Sequence, residues 1–512
     1  MSLILVALLV TQPQGEIIWS RPDSGGVYRA VATQDIDGDL HPDVVADIYY
    51  SPSVPPPARL YCHSGLDGGT IWAQNDCLGV WGNQSLGTTR DVSGDSVRDV
   101  IMGTPGGIAP GCSFFLKSGL NGSTVWTWDT HTQGPNYGWV YGVSDFLDLN
   151  HDGYPEVLAA VGGNSNDRSG TAFCFNGHTG DTLWTYRVPA DGAQTIAPIA
   201  DVNSDTVPEV AVGAGGNGLD NHVYFLNGRT GHQLWSYDMG NSVWTVTRIR
   251  DVNHSGTDDV VAGSWNYNVA CIEGSTGARI WDVPLGGTNV VMKLVPIRDV
   301  NSDSVDDVVV GSWASSVYVL SGRDGSVVWS ESVGTDCWNV DTLADVTGDG
   351  KPEVIVGALN GKLVKVFDGV THQTLWQYSF NERIYDVSGA PDLDGDGQAD
   401  VLVSLQDQGY EVDHLFAFKG QPVSAVERRE TRSCPWSVRT RPQGLEISGP
   451  VGRDFRVSLV NPAGRCLGRR YQRRLTCSPM FLGLGGELPC GCAFAVLTSA
   501  GSQVTAKVVT VR

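Results

Sequence analysis

Oxygen-bearing side chains recur at fixed spacing in a nine-residue motif along this chain. The motif reads D-x-[D/N/S/T]-x-D-x-x-x-[D/E], as in DVNSDSVDD at 299–307, so that positions 1, 3, 5 and 9 carry oxygen atoms. Odd positions of a tight loop can point inward around one cation, and Ca²⁺ accepts about six to eight oxygen ligands. An EF-hand would need a closing Glu at position 12 and flanking helices. The motif therefore predicts a different kind of cation loop.

Eight copies of the motif occur, and we predict a metal site in each, numbered loop 1 to loop 8 in chain order. The fifth copy has Ser255 at position 5, so we expect that site to be the weakest. The predicted ligands are Asp35, Asp37, Asp39 and Asp43 in loop 1; Asp91, Ser93, Asp95 and Asp99 in loop 2; Asp148, Asn150, Asp152 and Glu156 in loop 3; Asp201, Asn203, Asp205 and Glu209 in loop 4; Asp251, Asn253 and Asp259 in loop 5; Asp299, Asn301, Asp303 and Asp307 in loop 6; Asp345, Thr347, Asp349 and Glu353 in loop 7; and Asp392, Asp394, Asp396 and Asp400 in loop 8.

The alternative explanation of these loops is that Asp, Asn and Gly simply favour turns. Eight copies in register, most of them clustering three or four carboxylates, favour a cation instead, because unneutralised carboxylates this close would repel one another. All the ligands are hard oxygens, which makes calcium the expected metal.

The spacing of the loops predicts the elements that position them. Successive loops start 46 to 57 residues apart, which indicates an array of repeated supersecondary units. Each unit continues with a β-branched run such as VVVGSW (308–313), a strand ending in glycine such as VYVLSG (317–322), and a strand carrying tryptophan such as VVWSES (327–332). With the extended stretch that returns to the next loop, this makes four short strands, the content of a propeller blade.

The tryptophan strand also occurs eight times, and its first copy, EIIWS (16–20), precedes the first loop. The last unit ends at HLFAFKG (414–420) without a tryptophan strand of its own. We therefore predict an all-β fold with an eight-bladed propeller over 14–420, closed by the N-terminal strand.

The acidic loops with their DVVVGSW-type strands resemble FG-GAP/VCBS repeats, which form the calcium-loop blades of integrin α-chain propellers and of many secreted bacterial proteins. The segment LNGRTGHQLWSYD (226–238) resembles PQQ-type propeller repeats. The resemblance covers roughly four fifths of the chain. It implies a propeller with calcium loops and says little about function.

One tryptophan per blade is expected to fill the wedge between neighbouring sheets rather than to bind a ligand. Cys62, Cys174 and Cys271 occupy a position that is apolar in the other blades, which predicts buried thiols. A bond between Cys62 and Cys77 is the alternative for the first of them.

A second set of residues could bind a ligand at the centre of the ring. Seven residues before each loop stand Tyr28, Gln84, Tyr141, Gln194, Trp244, Met292, Trp338 and Tyr385. If the preceding strand is innermost, these side chains surround one end of the channel. The five aromatic members, Tyr28, Tyr141, Trp244, Trp338 and Tyr385, could stack on a sugar or a planar ligand. The alternative is that they fill the channel.

The two ends of the chain differ from the repeats. Residues 1–13 contain an eight-residue apolar run and predict a signal peptide with a clipped start, or else a buried strand. Residues 421–433 read as a linker and 434–512 as a small Ig-like β-sandwich, which resembles type IX secretion sorting domains in its VNPAGR and AKVVTVR segments. Its five cysteines predict two disulfides and one thiol, or a zinc site.

Charge and motifs narrow the function. The net charge of −22 argues against nucleic-acid binding, and no stretch predicts a membrane span. Since no nucleophile or phosphate-loop motif is found, the leading hypothesis is a non-catalytic, secreted or bacterial cell-surface scaffold that binds an extracellular protein or glycan. The C-terminal domain would contact the secretion machinery. The alternatives are a polysaccharide lyase or hydrolase acting at the channel mouth, and a quinoprotein dehydrogenase, which the resemblance links to a vicinal cysteine pair.

Overall fold

The computed structural model describes residues 13–22, 26–48, 59–75, 84–104, 113–130, 137–163, 169–286, 290–406 and 414–421, together with the backbone of seven strands between 437 and 510. The chain divides into two compact units, Met1–Pro422 and Val423–Arg512. Nearly all of the predicted signal peptide and linker lies outside the described residues.

The first unit is an eight-bladed β-propeller, as the repeat predicted. Each blade is a four-stranded antiparallel sheet. β1 (Ile17–Arg21) begins the unit and belongs to blade 8. Blade 1 contains β2 (Val27–Ala32), β3 (Val44–Ile48), β4 (Leu60–His63) and β5 (Thr70–Gln74); blade 2 contains β6 (Leu86–Thr88), β7 (Val100–Gly103), β8 (Ser113–Lys117) and β9 (Thr124–Asp129); blade 3 contains β10 (Tyr137–Asp145), β11 (Val157–Gly163), β12 (Thr171–Phe175) and β13 (Thr182–Arg187); blade 4 contains β14 (Gly192–Pro198), β15 (Val210–Gly215), β16 (His222–Leu226) and β17 (Gln233–Asp238).

The remaining blades repeat the pattern. Blade 5 contains β18 (Val243–Ile249), β19 (Asp259–Ser264), β20 (Asn268–Ile272) and β21 (Arg279–Pro284); blade 6 contains β22 (Val291–Ile297), β23 (Asp307–Ser312), β24 (Ser316–Leu320) and β25 (Val327–Ser332); blade 7 contains β26 (Asn339–Leu343), β27 (Glu353–Ala358), β28 (Leu363–Phe367) and β29 (Thr374–Ser379); blade 8 contains β30 (Ile384–Ala390), β31 (Asp400–Leu405), β32 (Leu415–Lys419) and β1. In blade 8, β1 runs antiparallel to β32 with Trp19 opposite Ala417.

The first strands of neighbouring blades contact one another around the whole ring, from β2 through β6, β10, β14, β18, β22, β26 and β30 back to β2. These strands therefore surround the axis, and the acidic loops that follow them all lie at one end of it. The opposite end holds the starts of the first strands and the ends of the second strands.

Burial follows position in the blade. The second strand of blade 6, DVVVGS in β23, is buried at every residue, whereas the fourth strand, VVWSES in β25, buries only Trp329 fully. A strand covered by neighbouring blades on both faces reads as a continuous β-branched run, while a strand at the rim alternates. The apolar core consists of clusters shared between adjacent blades.

The second unit is also made of strands. One sheet joins β33 (Ser437–Arg441), β34 (Gly444–Ser448) and β37 (Met480–Gly483); the other has the order β36 (Tyr471–Arg474), β35 (Asp454–Val460), β38 (Gly491–Ser499) and β39 (Ser502–Thr510). The last two strands form a hairpin that ends at Ser499 opposite Ser502. The Ig-like sandwich and its disulfides stay predictions. Within the described part of the chain, no helix is long and apolar enough to cross a membrane.

Candidate functional site

The repeated tryptophans join the blades. In each blade the indole Nε1 of the fourth-strand tryptophan donates a hydrogen bond of 2.5 to 2.8 Å to the carbonyl oxygen of a glycine in the next blade. We call each such pair a latch. The eight latches are Trp19–Gly65, Trp72–Gly119, Trp126–Gly177, Trp184–Gly228, Trp235–Gly274, Trp281–Gly322, Trp329–Gly369 and Trp376–Gly420. This confirms that these tryptophans pack between blades. Cys62, Cys174 and Cys271 are buried free thiols, also as predicted, whereas Cys77 lies outside the described residues.

The acid at position 9 supports a latch in all but one of the loops. Asp43 is fully buried, and its carboxylate accepts hydrogen bonds from the backbone N–H of Ile36 and of Gly65, at 2.6 and 3.1 Å. The carbonyl oxygen of Gly65 in turn accepts the latch from Trp19. Seven of the eight loops have the same contact between the position-9 acid and the latch glycine. The loops therefore have a structural role that the ligand pattern alone did not reveal.

The acids at positions 1 and 5 hold the loop itself. In loop 2, Asp91 accepts hydrogen bonds from the backbone N–H groups of Gly94 and Ser96, at 2.7 and 2.8 Å. Asp95 accepts a 2.6 Å hydrogen bond from the hydroxyl of Ser118, the residue before the latch glycine. These donors are neutral, so they fix the carboxylates without cancelling their charge.

Four loops bring three acidic side chains together. One oxygen atom from each member lies within 4.8 Å of the others in the sets Asp35, Asp37 and Asp39; Asp91, Asp95 and Asp99; Asp201, Asp205 and Glu209; and Asp392, Asp394 and Asp400. That spacing lets three oxygens reach one calcium ion. Among the described residues of loops 3, 5, 6 and 7, no three acids approach this closely.

Burial raises the pKa values of the acids at position 9. Desolvation, together with the charges of Asp37 and Asp39, raises the pKa of Asp43 to about 6. Desolvation likewise raises the pKa of Asp400 to about 7, with Asp394 and Asp396 adding to the effect. A cation would favour the ionised form of such groups and reverse the shift. The loops are therefore arranged as a set of carboxylates that a divalent ion would stabilise.

Several loops contain a charged residue that the motif did not include, and loops 8 and 5 show the two opposite signs of charge. The ammonium of Lys419 contacts the carboxylates of Asp394 and Asp396 in loop 8, where it supplies part of the positive charge that a metal would bring. In loop 5, Glu273 takes the place before the latch glycine and adds negative charge near Asp259. Both residues stand immediately before the glycine that ends a third strand, and this register is the sequence signal that could have identified them.

A cavity of about 300 Å³ lies at the opposite end of the axis from the acidic loops. It is lined by Tyr28, Gln84, Trp139, Tyr141, Gln194, Trp244, Thr245, Trp265, Val290, Met292, Lys293, Trp313 and Trp338. Seven of the eight residues that the sequence placed at the channel end line it. The eighth, Tyr385, packs against Tyr28 with their ring centroids 4.9 Å apart.

Sequence reasoning missed three aromatic residues of this cavity. Trp265 and Trp313 each follow a Gly-Ser pair at the end of a second strand, and Trp139 lies two residues before Tyr141. The first two form pairs with predicted residues. Trp265 meets Trp244 edge to face at 5.3 Å, and Trp313 is tilted against Trp338 at 5.4 Å. The GSW sequence, which ends both second strands, is the signal by which Trp265 and Trp313 could have been identified.

A charged network lies beneath the cavity. Lys293 Nζ is 3.6 Å from the carboxylate of Asp386, and Arg29 Nε is 3.8 Å from the same group. Asn339 Nδ2 donates a 2.6 Å hydrogen bond to it. Lys293 lines the aromatic cavity, whereas Arg29 lines a second cavity of about 200 Å³. Asp386 thus contacts Lys293, which lines the aromatic cavity, and Arg29, which lines the second cavity.

Residues 118–312 match the family model described as outer membrane protein assembly factor BamB, PQQ_2. No curated protein matches the chain. Among solved structures, the computationally designed protein Ika8 is 16% identical, with 79% of this chain and 100% of Ika8 covered and a TM-score of 0.53. Sqt1 of Saccharomyces cerevisiae is 12% identical over 80% of this chain and 100% of its own, with a TM-score of 0.54. BamB from Moraxella catarrhalis is 16% identical over 71% and 92%, with a TM-score of 0.43. The likeness to Ika8 and Sqt1 concerns the fold alone, and the family match over residues 118–312 supports a PQQ-like β-propeller.

Proposed function

We propose that this protein is a calcium-stabilised β-propeller of the cell surface or the extracellular space that binds a protein or a glycan in its aromatic cavity without transforming it. The observation that carries the proposal is the composition of the cavity wall. Seven of its thirteen residues are aromatic, and two of them, Trp265 and Trp313, are among the exposed large apolar residues. Pockets with aromatic walls and a few polar groups are typical binding sites.

The cavity wall favours binding over catalysis. Its ionisable members are Tyr28, Tyr141 and Lys293. General acid–base chemistry works best with a group whose pKa is near the working pH, and burial raises the pKa of Tyr141 above its ordinary value of 10.0. Hydrolase or lyase chemistry would need an acid or base here, and the quinoprotein alternative a vicinal thiol pair. Of the described lining residues, Tyr141 has its pKa moved away from the working range and Lys293 is paired with Asp386, and none is a cysteine.

Calcium is proposed for the acidic loops because the carboxylates of loops 1, 2, 4 and 8 already converge. Its role would be structural, since the position-9 acids hold the glycines that accept the latches. Direct measurement of bound calcium after dialysis against trace calcium tests this part.

Export remains a proposal based on composition and resemblance. Residues 421–512 contain 14 Lys and Arg but only 5 Asp and Glu, unlike the acidic propeller. We assign this unit to the secretion machinery. Deleting it is expected to leave a folded propeller inside the producing cell, and export of the truncated chain would refute the assignment.

The binding proposal is tested with a double variant, Trp265→Ala/Trp313→Ala, on arrays of glycans and of extracellular proteins. The matched control is Leu183→Ala/Leu234→Ala, which removes exposed apolar side chains from fourth strands at the rim. Binding that is lost in the tryptophan variant and kept in the control supports the proposal. Binding that survives in the tryptophan variant would place the ligand elsewhere and refute it.

A further inference from the structure

The geometry points to a neutral sugar at the end of a glycan chain as the ligand of the aromatic cavity. This inference rests on the proposed function and narrows it to one class of ligand and one mode of entry. Four properties of the cavity carry it: flat stacking surfaces, buried polar groups that have no hydrogen-bond partner, compensated charge and a channel that narrows below the cavity.

Stacking surfaces stand at the rim of the cavity. Trp265 and Trp313 are 36% and 46% exposed, although each is fixed against a second tryptophan within the wall. An exposed indole held in place by its neighbour loses little conformational freedom when a ligand covers it. The face of a pyranose ring carries C–H groups and suits such a surface. The amide side chains of Gln84 and Gln194 lie in the same wall and suit the hydroxyl groups around the ring edge.

Two indole N–H groups and one hydroxyl group, that of Thr245, lack hydrogen-bond partners among the lining residues. The indole Nε1 atoms of Trp244 and Trp338 are buried, and no acceptor within the described residues lies in hydrogen-bond range. All eight latch tryptophans, by contrast, donate to a carbonyl oxygen. Buried donors are normally satisfied. Sugar oxygens are acceptors that could satisfy both indoles.

The charge of the cavity favours a neutral ligand. Lys293 is the one charged side chain among the described lining residues, and its ammonium lies 3.6 Å from the carboxylate of Asp386. An anionic ligand would have to compete with that carboxylate. A cationic ligand, which an aromatic cage could otherwise hold by cation–π attraction, would meet the Lys293 ammonium without a carboxylate in the wall. A neutral ligand avoids both costs.

The floor favours a chain end. The contacts of Asp386 with Lys293 and Arg29 lie between the aromatic cavity and the second cavity on the axis. This network comes from the consecutive blades 6, 7, 8 and 1 and narrows the channel from that side, and the cavity of about 300 Å³ above it suits one terminal sugar better than a threaded polymer. A terminal sugar can enter from the open end, with the rest of the glycan leaving past Trp265 and Trp313.

The test is calorimetric titration of the full chain in calcium with four neutral hexasaccharides, namely cellohexaose, laminarihexaose, mannohexaose and xylohexaose, and with hexagalacturonate as the anionic probe. We expect at least one of the neutral sugars to bind. The trisaccharide and the hexasaccharide of that sugar should then have molar affinities within twofold of each other. The Trp265→Ala/Trp313→Ala variant is expected to lose at least tenfold in affinity, and Trp338→Phe about threefold or more. The control is Leu183→Ala/Leu234→Ala, which removes exposed apolar side chains outside the cavity and is expected to leave the affinity unchanged.

Two results would overturn the inference: tighter binding of hexagalacturonate than of every neutral probe, or affinity that rises in proportion to chain length. A third would separate it from the proposed function. If no saccharide binds but an arrayed protein binds through Trp265 and Trp313, the inference of a sugar ligand is wrong and the proposal that the cavity is a binding site is supported. If array binding survives in the double tryptophan variant, both fail.

Discussion

Replacing Trp376 by phenylalanine tests whether the latches stabilise the propeller. Trp376 is fully buried, donates a 2.7 Å hydrogen bond to the carbonyl of Gly420, and stacks on Phe418 at 5.4 Å. Leaving a buried carbonyl without its donor costs about 1–3 kcal/mol. The smaller ring also leaves part of the site unfilled, and complete removal of such a ring costs about 3–5 kcal/mol. We therefore expect a loss of about 2–4 kcal/mol in the free energy of unfolding.

Urea denaturation followed by circular dichroism measures this loss, with Trp265→Phe as the control because Trp265 is partly exposed and forms no latch. Asp400→Asn provides a second arm, since Asp400 binds the N–H of Gly420. If acid, glycine and tryptophan act as one unit, the two substitutions together cost less than the sum of their separate effects. A Trp376→Phe loss no larger than that of Trp265→Phe, about 0.5 kcal/mol or less, would refute the reasoning.

The acidic loops give three further predictions. In calcium-free buffer the thermal midpoint should fall as the pH rises from about 4 to about 7. Burial raises the pKa of Asp43 to about 6 and that of Asp400 to about 7, so the folded protein binds protons more readily than the unfolded chain in this range. Saturating calcium should reverse the slope, and an unchanged slope would contradict calcium binding at these acids. Lys419→Gln should raise the calcium affinity of loop 8 by removing a competing ammonium, measured by titration with a fluorescent calcium competitor, with Lys362→Gln as the surface control. Ser255→Asp should raise the bound calcium measured by plasma mass spectrometry by about one ion per chain, since it restores the position-5 ligand of loop 5; an unchanged count would show that loop 5 binds no ion or already binds one.

Spacing made the propeller predictable, because each blade repeats the same burial pattern. The tryptophan at position three of VVWSES and the acid at position 9 of DVNSDSVDD fall in the same place in every copy. Features that depend on contact between different segments were not accessible in this way. Lys419 reaches loop 8 from a third strand, and Trp265 joins Trp244 only because two strand ends meet at the cavity.

About half of the residues that line the cavity could be predicted, because their spacing from the acidic loops is regular. Residues at this end of the channel could be found by counting back seven positions from each loop, because that offset is the same in every blade. The Lys293–Asp386–Arg29 network could not, because its members come from blades 6, 8 and 1 and meet only once the ring has closed.

The latches all run in one direction, from the tryptophan of one blade to the glycine of the next, so each interface is head to tail. A head-to-tail interface has no natural end except closure into a ring. A propeller from which one blade is deleted would present a donor edge on one side of the gap and an acceptor edge on the other. Such edges complement those of a second molecule, and the same contact that closes the monomer would then link chains into an open polymer. The fixed number of blades thus lets every latch find its acceptor within one chain.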